Sequence, residues 1–167
     1  TEESCPSMTA GPKYKYFWTD GKSKPEDVPA CVYVRSLMEW IQQQVRPRVM
    51  TSIQLSHSSF TLFLISSHLF SSQLDDDRVF PIKLDSPFPK NFRSIVNSIF
   101  RRLFRVFAHI YHHHVEHVQA LDISLHLNTS FRHFIFFVLE FQLIEKKELA
   151  PLSELIASFS EKKPKKK

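Results

Sequence analysis

The chain has 167 residues with 43% hydrophobic and 13% aromatic content, and 22 Lys and Arg against 17 Asp and Glu give it a net charge of +5. Sixteen Phe and only two Gly supply a core for one domain and exclude a disordered, collagen-like or low-complexity chain. Two Cys exclude a disulfide scaffold, and no apolar run reaches the roughly 18 to 20 residues of a membrane span, so we expect a soluble intracellular protein.

The basic excess lies at the C-terminus. The last six residues, Lys162 to Lys167, contain five Lys, and removing them leaves 17 basic against 17 acidic residues. We interpret residues 160–167 as a basic, disordered tail rather than a nuclear-import or nucleic-acid-binding segment. The first residue is Thr1 rather than Met, which favours a fragment whose beginning is missing, and the sequence contains no signal-peptide pattern.

The first predicted elements are a hairpin and a helix. Basic and aromatic residues alternate over 12–18 and run into the turn sequence Thr19-Asp20-Gly21, which predicts a short hairpin. From Val32 to Gln44, apolar residues recur at helical spacing, which predicts an amphipathic helix.

Residues 45–73 differ in composition from the rest of the chain. The stretch is rich in Ser, Phe, Leu, Ile and His and has no clear period. A partly buried loop or strand is one interpretation, although long structureless insertions are uncommon in compact domains. A translated intron is another, because Val45-Arg46 suits a GT-AGR donor, Phe, Leu and Ser codons suit a polypyrimidine tract, and Gln73 suits a terminal CAG.

A long helix is predicted after the Pro-containing segment 80–89. Apolar residues from Phe92 to Phe107 fall on one broad face, which is typical of an amphipathic helix. Helical character continues through a cluster of His to about Leu121.

Two more helices follow. Asn128 and Thr129 are expected to cap a helix Phe131–Leu143, whose apolar residues surround the axis so fully that the helix must be buried. A final short helix, Glu148–Phe159, completes a mostly helical bundle.

Three arginines share one sector of the long helix. At 100° per residue, Arg101, Arg102 and Arg105 fall within roughly 100° of each other, away from the apolar face. Because side chains at i and i+4 are neighbours, Arg101 and Arg105 can converge on one anion, with Arg102 closing the side. A dianionic phosphate would relieve the repulsion among these charges and accept strong hydrogen bonds. An ordinary solvated helix face is the alternative interpretation.

Five His occur in the nine positions 109–117. On an ideal helix His109 and His113 share a face, whereas His109 and His114 would meet only if the helix ended or loosened. Cys5 is a suitable soft partner for a zinc ion. Surface or core histidines without a metal are the alternative.

The segment His113-x-x-Glu116-His117 matches the inverted zinc-protease pattern in letters. That chemistry needs a further carboxylate ligand and a substrate cleft, and mostly apolar helix follows His117. We therefore interpret the match as coincidence. The sequence also contains no Gly-rich phosphate loop, Gly-x-Ser-x-Gly elbow or HExxH motif.

Five sequence motifs occur in the same order as in a known protein family and carry a resemblance to it. They are Cys5-Pro-Ser-Met-Thr-Ala-Gly-Pro-Lys-Tyr-Lys-Tyr-Phe-Trp18, Phe88-Pro-Lys-Asn-Phe92, Arg102-Leu-Phe-Arg-Val-Phe-Ala-His-Ile-Tyr-His112, His126-Leu-Asn-Thr-Ser-Phe131 and Lys147-Glu-Leu-Ala-Pro-Leu152. They resemble the Mob (Mps-one-binder, phocein-like) family over residues 4 to about 157, apart from the unusual stretch. The resemblance implies an all-α, Mob-like helical bundle with a short β-hairpin near the N-terminus. Arg101, Arg102 and Arg105 fill all three basic positions of the family's Arg cluster. The chain is therefore most similar to the branch that activates NDR and LATS kinases.

The resemblance also bears on the unusual stretch. Family members run directly from a Trp-(Val/Ile)-Gln-x-Gln helix into Leu-Asp-Asp, and joining Gln44 to Leu74 restores that continuity. We therefore interpret 45–73 as a retained intron or mispredicted exon within a single Mob-like domain of residues 1–159. A lineage-specific insertion is the alternative.

For function, the resemblance implies a non-catalytic adaptor in Hippo-type signalling. Arg101, Arg102 and Arg105 would bind a phosphothreonine segment of an upstream Ste20-like kinase, while another surface would bind an NDR- or LATS-type kinase. No nucleic-acid partner and no membrane span are expected, and the expected location is the cytoplasm, with the nucleus as a second compartment.

The resemblance further implies a structural zinc held by two Cys and two His. Cys5, His109 and His114 match three of these ligands, whereas the fourth, a Cys five residues before Cys5, would fall just ahead of Thr1. With three ligands the site would bind zinc weakly, recruit His112, His113 or water, or stay empty.

A second missing segment leaves other functions open. The N-terminal helical region that supplies acidic contacts to the downstream kinase is also missing, so kinase activation follows less directly than the fold. The alternatives are a zinc-dependent hydrolase that uses the His113-x-x-Glu116-His117 pattern and a gene-model fragment without a function of its own.

Overall fold

Helices dominate the computed structural model, which describes residues 3–21, 23–45, 80–81 and 87–161. The α-helices are α1 Ala30–Val45, α2 Phe92–His113, α3 Val115–Ala120, α4 Ser124–Glu140 and α5 Ser153–Glu161, with a 3₁₀ helix Lys146–Leu152 before α5. The strands in the described residues are β1 Thr9–Ala10 and β2 Tyr14–Lys15. The predicted all-α class with a short N-terminal hairpin is confirmed. None of the described helices is both long enough and apolar enough to cross a bilayer.

The described residues pack as two units. One unit is formed by 1–35 and 96–167 and contains the hydrophobic core, in which aromatic residues of α2 and α4 pack together. The other is formed by 36–95, where Phe92 contacts Phe80 and Phe88 with ring centroids 5.4 and 4.6 Å apart. The predicted insertion 45–73, apart from the residue that ends α1, lies outside the described residues, as does the predicted tail beyond the end of α5.

The predicted hairpin is present, but its turn lies earlier than expected. β1 and β2 are antiparallel, with Thr9 opposite Lys15 and Ala10 opposite Tyr14. The connecting turn contains Gly11, which has a φ of +67°. A residue without a Cβ adopts this left-handed conformation readily, so Gly11 suits the turn.

The predicted turn Thr19-Asp20-Gly21 belongs to the next loop. Backbone hydrogen bonds of 2.8 Å run in both directions between Trp18 and Glu26 and close this loop. The Asp20 carboxylate accepts hydrogen bonds from the backbone and hydroxyl of Ser23. Thr19-Asp20-Gly21 therefore forms a turn, as predicted, but this turn does not connect the two strands.

The long helix predicted from Phe92 is α2, which ends at His113, and helical structure continues in α3 to Ala120, close to the predicted end near Leu121. His114, with φ −129° and ψ 14°, interrupts the helical path before the short α3 begins. The α2 side chains that are buried are Ile99, Phe100, Phe104, Ala108 and His109. This apolar face packs into the core, as the periodicity predicts.

The predicted start of the next helix is wrong. α4 begins at Ser124, and its N-cap residue Ile123 makes no side-chain capping hydrogen bond. Asn128, expected to act as a cap, lies inside α4 and accepts a 2.8 Å hydrogen bond from the Tyr111 hydroxyl. Asn128 therefore stabilises a contact between two helices and does not cap a helix end.

The prediction that this helix is buried on all sides is also wrong. Phe131, Ile135 and Val138 are completely buried, at the i, i+4, i+7 spacing of one helix face. Phe136 and Phe137, on other faces, are 39% and 41% exposed. α4 therefore packs through one face, although its composition is apolar all round.

The predicted C-terminal helix Glu148–Phe159 consists of two elements. The 3₁₀ helix contains Pro151, which has no backbone N–H to donate and disfavours a continuous α-helix. Leu149 and Leu152 are buried in the core. They hold the 3₁₀ helix in place and thereby fix the backbone that carries Glu148.

Phe131 is the central aromatic residue of the core and provides a test of this packing. It is completely buried, and its ring lies 5.1 to 5.9 Å from those of Phe107, Tyr111 and Phe159. We expect Phe131→Ala to lower the free energy of unfolding by about 3 to 5 kcal/mol, because it leaves a cavity. Chemical denaturation measures this loss. Phe136→Ala, at an exposed position of α4, is the control and should cost about 1 kcal/mol, and equal losses would contradict the one-sided packing.

Candidate functional site

Arg101 and Arg105 lie one turn apart on α2 and face the same carboxylate. The Oε2 atom of Glu148 is 3.8 Å from Arg101 Nε and 3.8 Å from Arg105 Nη2. Both distances exceed the usual hydrogen-bond range, so the attraction acts through space. The side chains of Arg101, Arg105 and Glu148 are 36%, 22% and 26% exposed. The cluster is therefore partly buried rather than a solvated helix face.

Two tyrosines hold Arg105. Its Nη1 atom donates a 3.2 Å hydrogen bond to the hydroxyl of Tyr33, a buried residue of α1. Its guanidinium lies over the ring of Tyr16, 5.0 Å from the centroid, within the range of a cation–π contact. These supports fix the Arg105 side chain independently of Glu148.

Arg102 extends toward the loop after β2. Its Nη2 atom donates a 2.8 Å hydrogen bond to the carbonyl of Thr19, and its guanidinium lies 4.8 Å from the centroid of a Trp18 ring. Burial lowers the pKa of Arg102 from its ordinary value, with smaller contributions in the same direction from Arg105 and Arg101. An arginine nevertheless keeps its charge in a protein. The three predicted arginines thus lie together, with Arg102 held separately from the other two.

Several hydrogen-bond donors in this region make no hydrogen bond with the described residues. The buried Nε atoms of Arg101 and Arg105 and the buried hydroxyl of Tyr16 make no hydrogen bond with the described residues. Burial raises the pKa of Tyr16 to about 12, against the opposing effect of Arg105, so the phenol keeps its proton. We call the three arginines, Tyr16 and Glu148 the Arg pocket. Its surplus of positive charge and free donors suits an anion with several oxygen atoms.

Sequence reasoning identified the arginines but missed the other members of the Arg pocket. Glu148 comes from the 3₁₀ helix, and Tyr16 comes from the segment after β2. Neither has a local pattern that relates it to α2. Only the tertiary packing brings these side chains to the arginines.

Cys5, His109 and His114 form a second cluster. The Nε2 atom of His114 is 3.4 Å from Cys5 Sγ and 3.2 Å from His109 Nε2, and all three ligand atoms lie within 4.8 Å of one another. In a tetrahedral zinc site, the usual bond lengths separate ligand atoms by about 3.3 to 3.7 Å. The two separations that involve His114 are close to this range, so the cluster is a candidate metal site.

The hydrogen bonds of His109 also suit a metal ligand. Its Nδ1 atom donates a 2.8 Å hydrogen bond to the carbonyl of Thr9, which leaves Nε2 as the metal-binding atom. Burial lowers the pKa of both His109 and His114, which favours the neutral form that binds metals. The helix is interrupted at His114, and this interruption places the His114 ring next to His109. The sequence predicts that these two side chains meet only where the helix ends or loosens.

The neighbouring histidines have other partners. His112 Nε2 donates a 3.0 Å hydrogen bond to the Pro151 carbonyl, and His113 Nε2 lies 2.9 Å from Thr9 Oγ1. Neither belongs to a metal-binding group within the described residues. The pattern His113-x-x-Glu116-His117 is divided between the end of α2 and the start of α3, and its three functional side chains are exposed. This arrangement argues against a zinc-protease site on one helix.

Comparisons with known proteins agree with the fold. Residues 1–152 match the model of the Mob1/phocein family. The chain is 47% identical over 160 residues to MOB kinase activator-like 1A of Arabidopsis thaliana and to MOB kinase activator-like 1 homolog A of Dictyostelium discoideum, each alignment covering 95% of the chain. It is 46% identical, over the same share, to MOB kinase activator-like 1A of Medicago sativa subsp. falcata. The chain therefore belongs to the Mob1/phocein family.

The relatives are longer than the aligned region. The alignments cover 61% of the Arabidopsis thaliana and Medicago sativa proteins and 62% of the Dictyostelium discoideum protein. The chain thus spans about three-fifths of the length of the curated relatives that it matches. The resemblance predicted from the five motifs is confirmed at the level of the family.

A substitution in the turn at Gly11 tests the contact between the hairpin and His112, near the Cys5 cluster. A Cβ at Gly11 would lie 3.2 Å from His112 Nδ1, and the residue has a φ of +67°. We expect Gly11→Ala to lower the free energy of unfolding by about 1 to 2 kcal/mol for the left-handed backbone, plus the cost of moving His112. Gly21→Ala is the control, because Gly21 has a φ of +85° but nothing within 4 Å of the added Cβ. Urea denaturation should show the larger loss for Gly11→Ala, and equal losses would contradict the contact with His112.

Proposed function

We propose that this protein is a phosphothreonine-binding adaptor that activates NDR- or LATS-type kinases and does not itself catalyse a reaction. The observation that carries the proposal is the convergence of Arg101 and Arg105 in a partly buried cluster, where their Nε donors make no hydrogen bond with the described residues. A phosphate group carries about two negative charges and three acceptor oxygens, which match these donors. The relatives are named kinase activator-like proteins, which supports kinases as the partners.

The proposal assigns two binding steps to the protein. The Arg pocket takes a phosphorylated segment of an upstream Ste20-like kinase, and a separate surface takes the NDR- or LATS-type kinase. An adaptor of this kind works in Hippo-type signalling, in the cytoplasm and the nucleus. Its function depends on joining two partners, so it needs no catalytic group.

A structural zinc ion is part of the proposal. Cys5, His109 and His114 would hold it, and a fourth ligand would complete the tetrahedron. The ion would tie the segment before β1 to the end of α2. It would therefore stabilise the fold and would have no role in turnover.

Phosphopeptide binding tests the role of the Arg pocket. We expect the protein to bind a phosphothreonine peptide and to bind the unphosphorylated peptide far more weakly. The double substitution Arg101→Ala, Arg105→Ala should weaken binding by about 100-fold or more, because each charge-assisted hydrogen bond contributes roughly 1.5 to 3 kcal/mol. Fluorescence polarisation with labelled peptides measures both effects.

Arg132→Ala is the matched control for that experiment. Arg132 lies on α4 and packs over the Phe136 ring, 5.4 Å from its centroid. Its loss removes the same charge from a different surface and should leave phosphopeptide affinity unchanged. Equal affinity for the two peptides, or full binding by the double variant, would count against the adaptor proposal and favour a fragment without this function.

Metal analysis tests the zinc site. We expect the purified protein to contain close to one zinc per chain, and we expect chelation to lower its Tm, because an ion that binds only the folded chain stabilises it. Cys5→Ser should weaken zinc binding by at least about tenfold, since it replaces a thiolate ligand. Cys31→Ser is the control, because Cys31 is outside the cluster. The absence of zinc, or equal effects of the two substitutions, would refute the assignment.

A further inference from the structure

Glu148 is a carboxylate that faces the Arg pocket from the 3₁₀ helix. Its Oε2 atom is 3.8 Å from a nitrogen atom of both Arg101 and Arg105, beyond hydrogen-bond range. The next residue, Leu149, is buried, so the backbone that carries Glu148 cannot withdraw easily. Glu148 therefore acts on the two arginines through its charge.

Within the described residues, two other acidic side chains near the Arg pocket have partners of their own. Glu145 lies 2.7 Å from Lys147 Nζ, and the Asp20 carboxylate accepts hydrogen bonds within its loop. Among the described residues of the Arg pocket, three guanidinium groups and the carboxylate of Glu148 give a net charge of about +2 to attract a bound anion. Because a phosphothreonine carries about 1.5 to 2 negative charges at pH 7, a bound phosphate would nearly neutralise the pocket.

We propose that Glu148 is the resident counterion of the Arg pocket and that its charge limits how tightly the pocket binds a phosphorylated residue. This inference rests on the proposed phosphothreonine-binding function. In the free protein, the carboxylate offsets the repulsion between Arg101 and Arg105. In the complex, it repels the phosphate that the same arginines bind. Its two effects have opposite signs, since it stabilises the free fold and weakens the complex.

A purely positional role for Glu148 would give a different result. If Glu148 served only to orient the arginines, its removal would lower both the stability and the affinity. The structure favours the electrostatic role, because Arg105 is held by Tyr33 and Tyr16, and Arg102 is held by the Thr19 carbonyl. These contacts remain when the carboxylate is neutralised.

The substitution Glu148→Gln tests the proposal, because it keeps the size of the side chain and removes its charge. We expect the variant to bind a phosphothreonine peptide about tenfold more tightly, since a repulsive charge near a dianion is lost. We expect the Tm of the free protein to fall by about 2 to 4 °C, because the substitution removes a partly exposed ion pair. Polarisation at fixed ionic strength and scanning calorimetry measure the two changes.

A second peptide tests whether charge is the cause. A peptide with Glu in place of the phosphothreonine carries one negative charge at that position. Its affinity for Glu148→Gln should rise by only about threefold, because the Coulomb energy scales with the charge of the guest. Equal gains for the two peptides would overturn the electrostatic explanation.

Two further variants complete the experiment. Glu154→Gln removes an exposed carboxylate from the first turn of α5 and should leave the phosphopeptide affinity unchanged, although it can lower the Tm slightly through the helix dipole. Glu148→Asp moves the carboxylate away from the arginines by one methylene and should give a smaller gain in affinity, which provides a readout if Glu148→Gln does not fold.

Equal or weaker phosphopeptide binding by both Glu148 variants would overturn this inference alone. Failure of the unmodified protein to distinguish the phosphorylated peptide would overturn the proposed function as well.

Discussion

Two backbone carbonyls near the N-terminus accept hydrogen bonds from side chains of α2, and both candidate sites depend on these bonds. The Thr9 carbonyl accepts from His109 and orients its ring toward His114 and Cys5. The Thr19 carbonyl accepts from Arg102 and holds it beside the other two arginines. Because one segment supplies both acceptors, a metal ion at the Cys5 cluster would fasten the same segment that forms a wall of the Arg pocket.

The Arg pocket shows how a helix can concentrate like charges without losing its fold. The apolar face of α2 is packed in the core, so the helix cannot rotate to turn its arginines toward another surface. Aromatic rings lie against the guanidinium groups of Arg102 and Arg105, which also donate hydrogen bonds to the Thr19 carbonyl and the Tyr33 hydroxyl, respectively. The rigidity comes from the core, and the tolerance for charge comes from these polar and aromatic contacts.

Sequence periodicity predicted the parts of this structure that depend on local spacing. It placed Arg101 and Arg105 on one sector of a helix, and the structure brings both to the same carboxylate. It failed where tertiary packing decides the outcome. The polar side chain of Asn128 suited a helix cap as well as it suits the hydrogen bond to Tyr111. The apolar residues of α4 gave no indication of which face would be covered, because a helix with apolar residues all round has no preferred side.

The Cys5 cluster and the Arg pocket also differ in what a sequence can reveal about them. Cys and His are few and have a restricted chemistry, so the cluster around His109 could be anticipated from residue types and a resemblance. A carboxylate such as Glu148 is one of many surface acids until the fold places it opposite a set of arginines. Its effect depends on a distance of 3.8 Å and on partial burial, since the same pair in bulk water would interact several times more weakly. The strength of an anion site is therefore set by the segments that surround its arginines, and these segments are recognisable only in three dimensions.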